Sequence, residues 1–336
     1  MNCFRFVFGV LYLGLVTMLL KMMLLTFLLI SGTVGAEDRP PQSNARQPSH
    51  EAELKFWLQN MVWHHGFTHS EMEQATGLPA TEIAAALKRF HIRIETRPRH
   101  APGAPLLVLP YPGGRHPRIG FLDGAIRPQR ETKISVFTPW NRQAYVVADI
   151  PEAIWSNLGL TYLAHTHIDT VWTKQNLKLD PLEWNRETNG QLTLKRRLPN
   201  GIVFTTQVTP GRRSVRMSMT LTNGTQKLLT GLRVQNCVML KGAPEFQRQT
   251  SENKVFRKPY AACRSDDGKH WVITAWTPCQ RVWANAKCPC LHADPQFPDC
   301  PPGVTRHLRG WLSFYEGTDI QVEFDRIEQT GWSGTQ

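Results

Sequence analysis

From about Leu106 onward the chain breaks into short alternating segments, and this rhythm constrains the fold more than any other feature. ETKISVFTPW, AYVVADI, GLTYLAHTHID, QLTLKRRL, GIVFTTQV, SVRMSMTLTN, LTGLRVQNCVML, HWVITAW, HLRGWLSFYEG and DIQVEF are rich in β-branched and aromatic residues, with Pro, Gly or Asn between them. In the sixth segment Val215, Met217, Met219 and Leu221 share one face and polar residues take the other, the pattern of a strand with one buried side. Pro199-Asn200-Gly201 marks a hairpin turn. Many short strands without helical patterns between them predict a mainly β chain, with an antiparallel β-sandwich over residues 105–330.

Ahead of the strands the period changes. Leu54, Trp57, Leu58, Met61 and Val62 fall at helical spacing. Thr68 with Glu71 makes a capping box for a second helix. Gly77-Leu78-Pro79 ends it, and Ile83, Leu87 and Phe90 stripe a third. Residues 51–95 are therefore predicted to be a small three-helix module, preceded by a polar, proline-containing linker over 37–50.

Residues 1–36 read as a signal peptide: two apolar runs flank Lys21, and Val34 and Ala36 are placed for cleavage. The segment from Met18 is complete as a leader by itself, which makes Met18 the expected start; the alternative is an uncleaved membrane anchor. A secreted or periplasmic location follows from either form, with membrane contact only for the second. Without Arg5 and Lys21 the net charge falls from +12 to +10. The basic clusters Lys195-Arg196-Arg197 and Arg212-Arg213 sit at turns and strand ends, where they read as a solvated face. An even set of cysteines remains after the leader: Cys237, Cys263, Cys279, Cys288, Cys290 and Cys300. In an exported chain these are disulfide candidates. Four of them lie in residues 278–304, a proline-rich stretch expected to be a long irregular loop fastened over the sheet.

Three constellations carry possible chemistry. His165, His167 and Asp169 alternate, so a strand would present all three on one face, as ligands to a metal or as the lining of a cleft. Arg233 and Gln235 offer a guanidinium fork beside an amide, suited to hydroxyl-rich or carboxylate ligands. His307, Arg309, Trp311, Ser313 and Tyr315 set aromatic faces beside donors, the makings of a sugar platform. Cys288-Pro-Cys290-Leu-His292 lacks the Cys-x-x-Cys-His spacing of haem attachment, and zinc would need reduced thiolates, which export disfavours. No phosphate-cradling glycine loop and no Gly-x-Ser-x-Gly elbow occurs, and no cofactor is expected. Asn223-Gly224-Thr225 fits a glycosylation sequon and a turn equally well.

Two resemblances bear on these readings. MEQATGLPATEIAAALKRF resembles the helix-turn-helix of winged-helix regulators, which would imply that the second helix reads bases. That helix carries Ala84, Ala85 and Ala86 where polar readers are needed, so a packing module without a nucleic-acid partner is expected. From Pro181 to Gly242, a hairpin followed by Leu-Thr-Asn-Gly-Thr and Leu-Thr-Gly-Leu strands resembles the galactose-mutarotase-like β-sandwich. The resemblance implies substrate hydroxyls on a concave sheet face. Aldose epimerases of that group use a histidine acid and a glutamate base, and no residues here match that pair. The chain as a whole is similar to a group of exported bacterial proteins, which implies nothing chemical.

The leading functional expectation is an exported protein that binds or modifies carbohydrate, with the 165–169 segment and the Arg309–Trp311 strand facing one cleft. The alternatives are a non-catalytic structural or interaction domain and a metal-dependent hydrolase using His165, His167 and Asp169.

Overall fold

Fifteen strands form two antiparallel sheets among the residues that the computed structural model describes, 45–119, 130–164 and 168–334. The leader and most of the linker lie outside these residues. The first sheet has seven strands. Its order is β1 (Val108–Pro110), β2 (Lys133–Phe137), β3 (Tyr145–Ser156), β9 (Arg233–Met239), β14 (Cys290–Pro295) and β13 (Cys279–Trp283), with β4 (Gly159–Leu163) paired to β3. The second has eight, ordered β10 (Lys254–Arg257), β11 (Tyr260–Arg264), β12 (His270–Thr277), β15 (Thr305–Glu316), β8 (Ser214–Thr222), β7 (Val203–Pro210), β6 (Leu192–Arg197) and β5 (Asn185–Arg186). The expected β-sandwich is therefore what the chain builds. Its core lies between the sheets, where Ile134, Val146, Ile154 and Val238 meet Phe204, Met219, Leu221, Val272 and Leu312. The turn at Pro199–Gly201 closes the β6–β7 hairpin, with Gly201 at φ 91°, a conformation that costs glycine nothing.

Three helices precede the sandwich. α1 (Glu51–Gln59) runs into a π-turn over Asn60–His65, and α2 (His69–Thr76) and α3 (Ala80–Arg89) follow. The Thr68–Glu71 capping box forms at the start of α2, and Gly77 ends that helix at φ 70°. Leu58, Met61, Met72, Ala75 and Ile83 pack together with little exposure. The helices also grip the first sheet. His65 reaches Ser135 at 2.7 Å, the Asn60 amide donates to the Pro110 carbonyl at 2.9 Å, and Arg115 pairs with Glu71 at 2.5 Å. Among the described residues, no helix is long and apolar enough to cross a membrane.

Three expectations need correction. DIQVEF is not a strand: Ile320–Glu328 is a helix, α4, capped by Asp319, whose Oδ1 accepts from the Gln321 and Val322 amides. Ile320, Phe324 and Ile327 at helical spacing outweigh the shorter alternation and bury themselves on the outer face of the second sheet. Residues 278–304 are not wholly irregular, because β13 and β14 lie within them and extend the first sheet. Finally, β4 stops at Leu163. Asp169 is outside any strand and accepts a hydrogen bond from the Thr173 hydroxyl at 3.1 Å, while His165 and His167 lie outside the described residues.

Candidate functional site

The outer face of the seven-stranded sheet carries a buried polar layer. Strand alternation puts Gln235, Cys237 and Met239 of β9 on this side, while Val234 and Val238 enter the core. The pairing of Cys290 with Met239 and Leu291 with Val238 sets Cys290, His292 and Asp294 of β14 on the same outer face. From β3, Glu152 accepts from Arg118 at 2.5 Å and from the Gln235 amide at 2.9 Å, and Arg118 Nε lies 3.0 Å from Met239 Sδ. Burial would lower the Arg118 pKa, but the fields of Cys237 and Glu152 more than offset it and raise it. A little further along, Lys133 and Asp149 form an ion pair of 2.9 Å with no exposure on either side. Such pairs are costly to break, because the surviving charge is left without compensation.

At one end of this layer sulfur gathers. One ligand-capable atom each of Cys237, Cys290 and His292 lies within 4.8 Å of the others, and Cys288 packs in the same buried cluster. The Cys290 thiol is held well below its usual pKa by hydrogen bonds from Cys237 and Cys288, then from His292. Burial opposes protonation of His292, yet Cys290, Glu152 and Asp294 together raise its pKa. Asp294 accepts from Arg281 at 2.8 Å, from the Trp283 indole at 2.7 Å and from the Asn236 backbone N–H at 3.2 Å. Burial is the main reason its pKa is raised. Trp283 stacks on His292 with ring centroids 4.0 Å apart. All six cysteines expected to form disulfides are free thiols in the structure.

The second sheet presents an open surface instead. Register places Gln207, Ser218 and Arg309 in one cross-strand row and Thr209, Arg216 and Trp311 in the next. Between these rows and residues 331–334 runs a groove of about 270 Å³ lined by Gln207, Thr209, Arg216, Ser218, Arg309 and Trp332. Arg309 Nη1 donates to the Ser333 and Gly334 carbonyls. A smaller cavity of about 180 Å³ beside α1 includes Arg130, which already lies 3.7 Å over the Trp57 ring and 3.2 Å from Glu183.

The sequence candidates are thus dispersed. Gln235 joins the buried layer; Arg233 stays exposed, 5.9 Å from the Trp155 ring. Arg309 lines the groove and His307 is exposed beside it. Trp311 is not an open platform: it is 2% exposed, donates to Ser313 Oγ at 2.8 Å and packs in the cluster with Ile320, Phe324 and Trp332. Tyr315 is half-buried against the same cluster. β15 belongs to the second sheet and β4, which leads into the 165–169 segment, to the first; His165 and His167 of the expected cleft lie outside the described residues. Asn223 is fully buried, its amide donating to the Cys300 and Lys227 carbonyls, so it serves the turn. Arg118, Glu152, His292, Asp294, Gln207 and Arg216 were not among the sequence candidates. The alternation of Cys290, His292 and Asp294 was the one signal that pointed to any of them.

No protein-family model matches the chain, and no curated protein sequence matches it. Several solved structures are similar to part of the chain. A heparan sulfate lyase from Pedobacter heparinus is 11% identical over 56% of this chain and 30% of its own, with a TM-score of 0.31. A candidate kojibiose phosphorylase from human microbiome is 7% identical over 70% of this chain and 36% of its own, with a TM-score of 0.36. The chain therefore spans about a third of the length of each. A candidate mutarotase from Salmonella typhimurium is 9% identical over 59% of this chain and 96% of its own, with a TM-score of 0.32.

Proposed function

We propose that the chain is a carbohydrate-binding β-sandwich protein whose ligand lies in the groove on the outer face of the eight-stranded sheet. The observation that carries this reading is the lining: two guanidinium groups, an amide and two hydroxyls converge on one open space of about 270 Å³. Donors and acceptors of this kind match the hydroxyls of a sugar ring, and Trp332, 5% exposed, is the aromatic side chain at the groove for its C–H faces. The buried layer of the other sheet suits an organic ligand less well, since Arg118, Glu152, His292 and Asp294 are all almost sealed from solvent. No carboxylate or imidazole lines the groove among the described residues, and glycoside hydrolysis needs a placed acid and base. Binding is therefore the favoured activity. The expected export of the chain accords with an extracellular or periplasmic glycan, and is part of this proposal.

Calorimetric titration of the full chain against a sugar panel tests it. Gln207 is exposed on the sheet surface, so Gln207→Ala isolates a ligand contact; Arg309→Ala removes charge-assisted donors worth about 1.5–3 kcal/mol, or roughly tenfold to a hundredfold in affinity. Failure of every sugar to bind, or wild-type affinity in the double variant, would reject the groove.

A further inference from the structure

Two of the six cysteines left after the expected leader converge with a histidine at one buried point, and a third, Cys288, packs in the same buried cluster. The other three stand apart, with Cys263, Cys279 and Cys300 each directed at a nearby backbone carbonyl. We propose that the convergent group, Cys237, Cys290 and His292 with Cys288 as fourth ligand, holds a zinc ion that ties β9 to β14. This is independent of the sugar groove, which lies on the opposite sheet.

The geometry starts from strand alternation. Cys290 and His292 are two residues apart on β14 and share a face, and Cys237 sits on the adjacent strand, so three donors meet without any loop having to reach. Their ligand atoms lie within 4.8 Å of one another. Tetrahedral zinc with bonds of about 2.0–2.3 Å needs ligand separations of roughly 3.5–3.8 Å, so modest inward rotation of the side chains would close the site. Cys288, in the same buried cluster as Cys237 and Cys290, would complete four donors of the type zinc prefers; calcium or magnesium would require oxygen ligands.

The surroundings match as well. Asp294 Oδ1 is 3.8 Å from His292 Nδ1, and that buried nitrogen has no hydrogen-bond partner. Arg281 and Trp283 fix Asp294, and the Trp283 ring fixes the imidazole plane, which is how a carboxylate behind a histidine orients a metal ligand. Zinc bound there would itself supply the positive charge that thiolate ligands require in a buried place. The four ligands are between 0% and 3% exposed, which leaves no place for a solvent ligand and makes the centre structural rather than catalytic.

Zinc and disulfide formation compete for the same sulfurs, so the decisive sample is full chain purified without reductant or chelator. Metal analysis should find about one zinc per chain. Cobalt(II) in its place should give the visible absorption of a tetrahedral, sulfur-ligated ion. Cys290→Ser should abolish both signals and Cys300→Ser should keep them. Asp294→Asn should weaken zinc binding by roughly tenfold to a hundredfold. If Cys290→Ser does not fold, wild-type chain still decides: zinc should protect Cys237, Cys288 and Cys290 from alkylation, and a chelator should expose them. Less than about a tenth of an equivalent of metal with alkylation indifferent to zinc, or a disulfide between any two of the three, would overturn the proposal.

Discussion

Replacing Trp311 by alanine separates a core tryptophan from a ligand platform. The side chain is 2% exposed and packs among Ile320, Phe324, Ile327 and Trp332, so its removal leaves a large cavity under α4. Core tryptophan truncations cost about 3–5 kcal/mol. The buried Ser313 hydroxyl loses its indole donor at 2.8 Å, worth about 1 kcal/mol, and the Arg216 guanidinium loses the ring 4.2 Å beneath it, worth about 0.5–1 kcal/mol. These neighbours are not independent, so about 4–6 kcal/mol in total is an upper range. Against a typical stability of about 5–15 kcal/mol the protein should survive, with its melting temperature lowered by roughly 10–20 °C. Urea titration followed by far-ultraviolet circular dichroism avoids dependence on tryptophan emission. His307→Ala, exposed on the same strand face, is the control and should change stability by less than about 0.5 kcal/mol. A Trp311→Ala loss below about 1 kcal/mol would mean that α4 does not seal this face, and the account of the second sheet would fail with it.

Two further outcomes are expected. Burial above all pushes the His65 pKa down to about 3 from 6.5, so between those values the unfolded chain binds the additional proton and stability falls as pH drops, returning as pH rises past 6.5. At about pH 4.5 the deficit should be about 2–3 kcal/mol, and His65→Gln should flatten this part of the profile; an unchanged profile would show that His65 is not held neutral. A Cβ on Gly310 would meet the Trp276 ring at 2.6 Å, and that ring is 1% exposed, so Gly310→Ala should cost about 1–3 kcal/mol by chemical denaturation. Wild-type stability would show that the ring has room to move.

Alternation made the sandwich legible, because Val215, Met217, Met219 and Leu221 could satisfy only one face of a sheet. The same criterion misread Ile320–Phe324, where a window of six residues fits a strand and the longer one ending at Ile327 fits a helix. It also passed over β14. CLHADP sends Leu291 and Ala293 into the inter-sheet core and Cys290 to the other face, yet Ala and Asp are weak strand formers, and prolines on both sides suggested a loop. With β14 taken as loop, His292 and Asp294 had no face to share with Cys237. The helical module was readable from its cap and stripe, but its grip on the first sheet through His65 and Asn60 depends on long-range pairs that no local period encodes.

The order of strands has a consequence for how the chain is made. β15 lies between β12 and β8, and β14 lies beside β9, so the last third of the sequence supplies a central strand to one sheet and extends the middle of the other. Until those residues leave the ribosome, β8 and β12 present bare edges, which are templates for pairing with other chains. Distant pairings of this kind also fold slowly, because the loop must close before any contact rewards it. A nascent chain of this design would have to be kept apart from its neighbours from the emergence of β8 until β15 follows it.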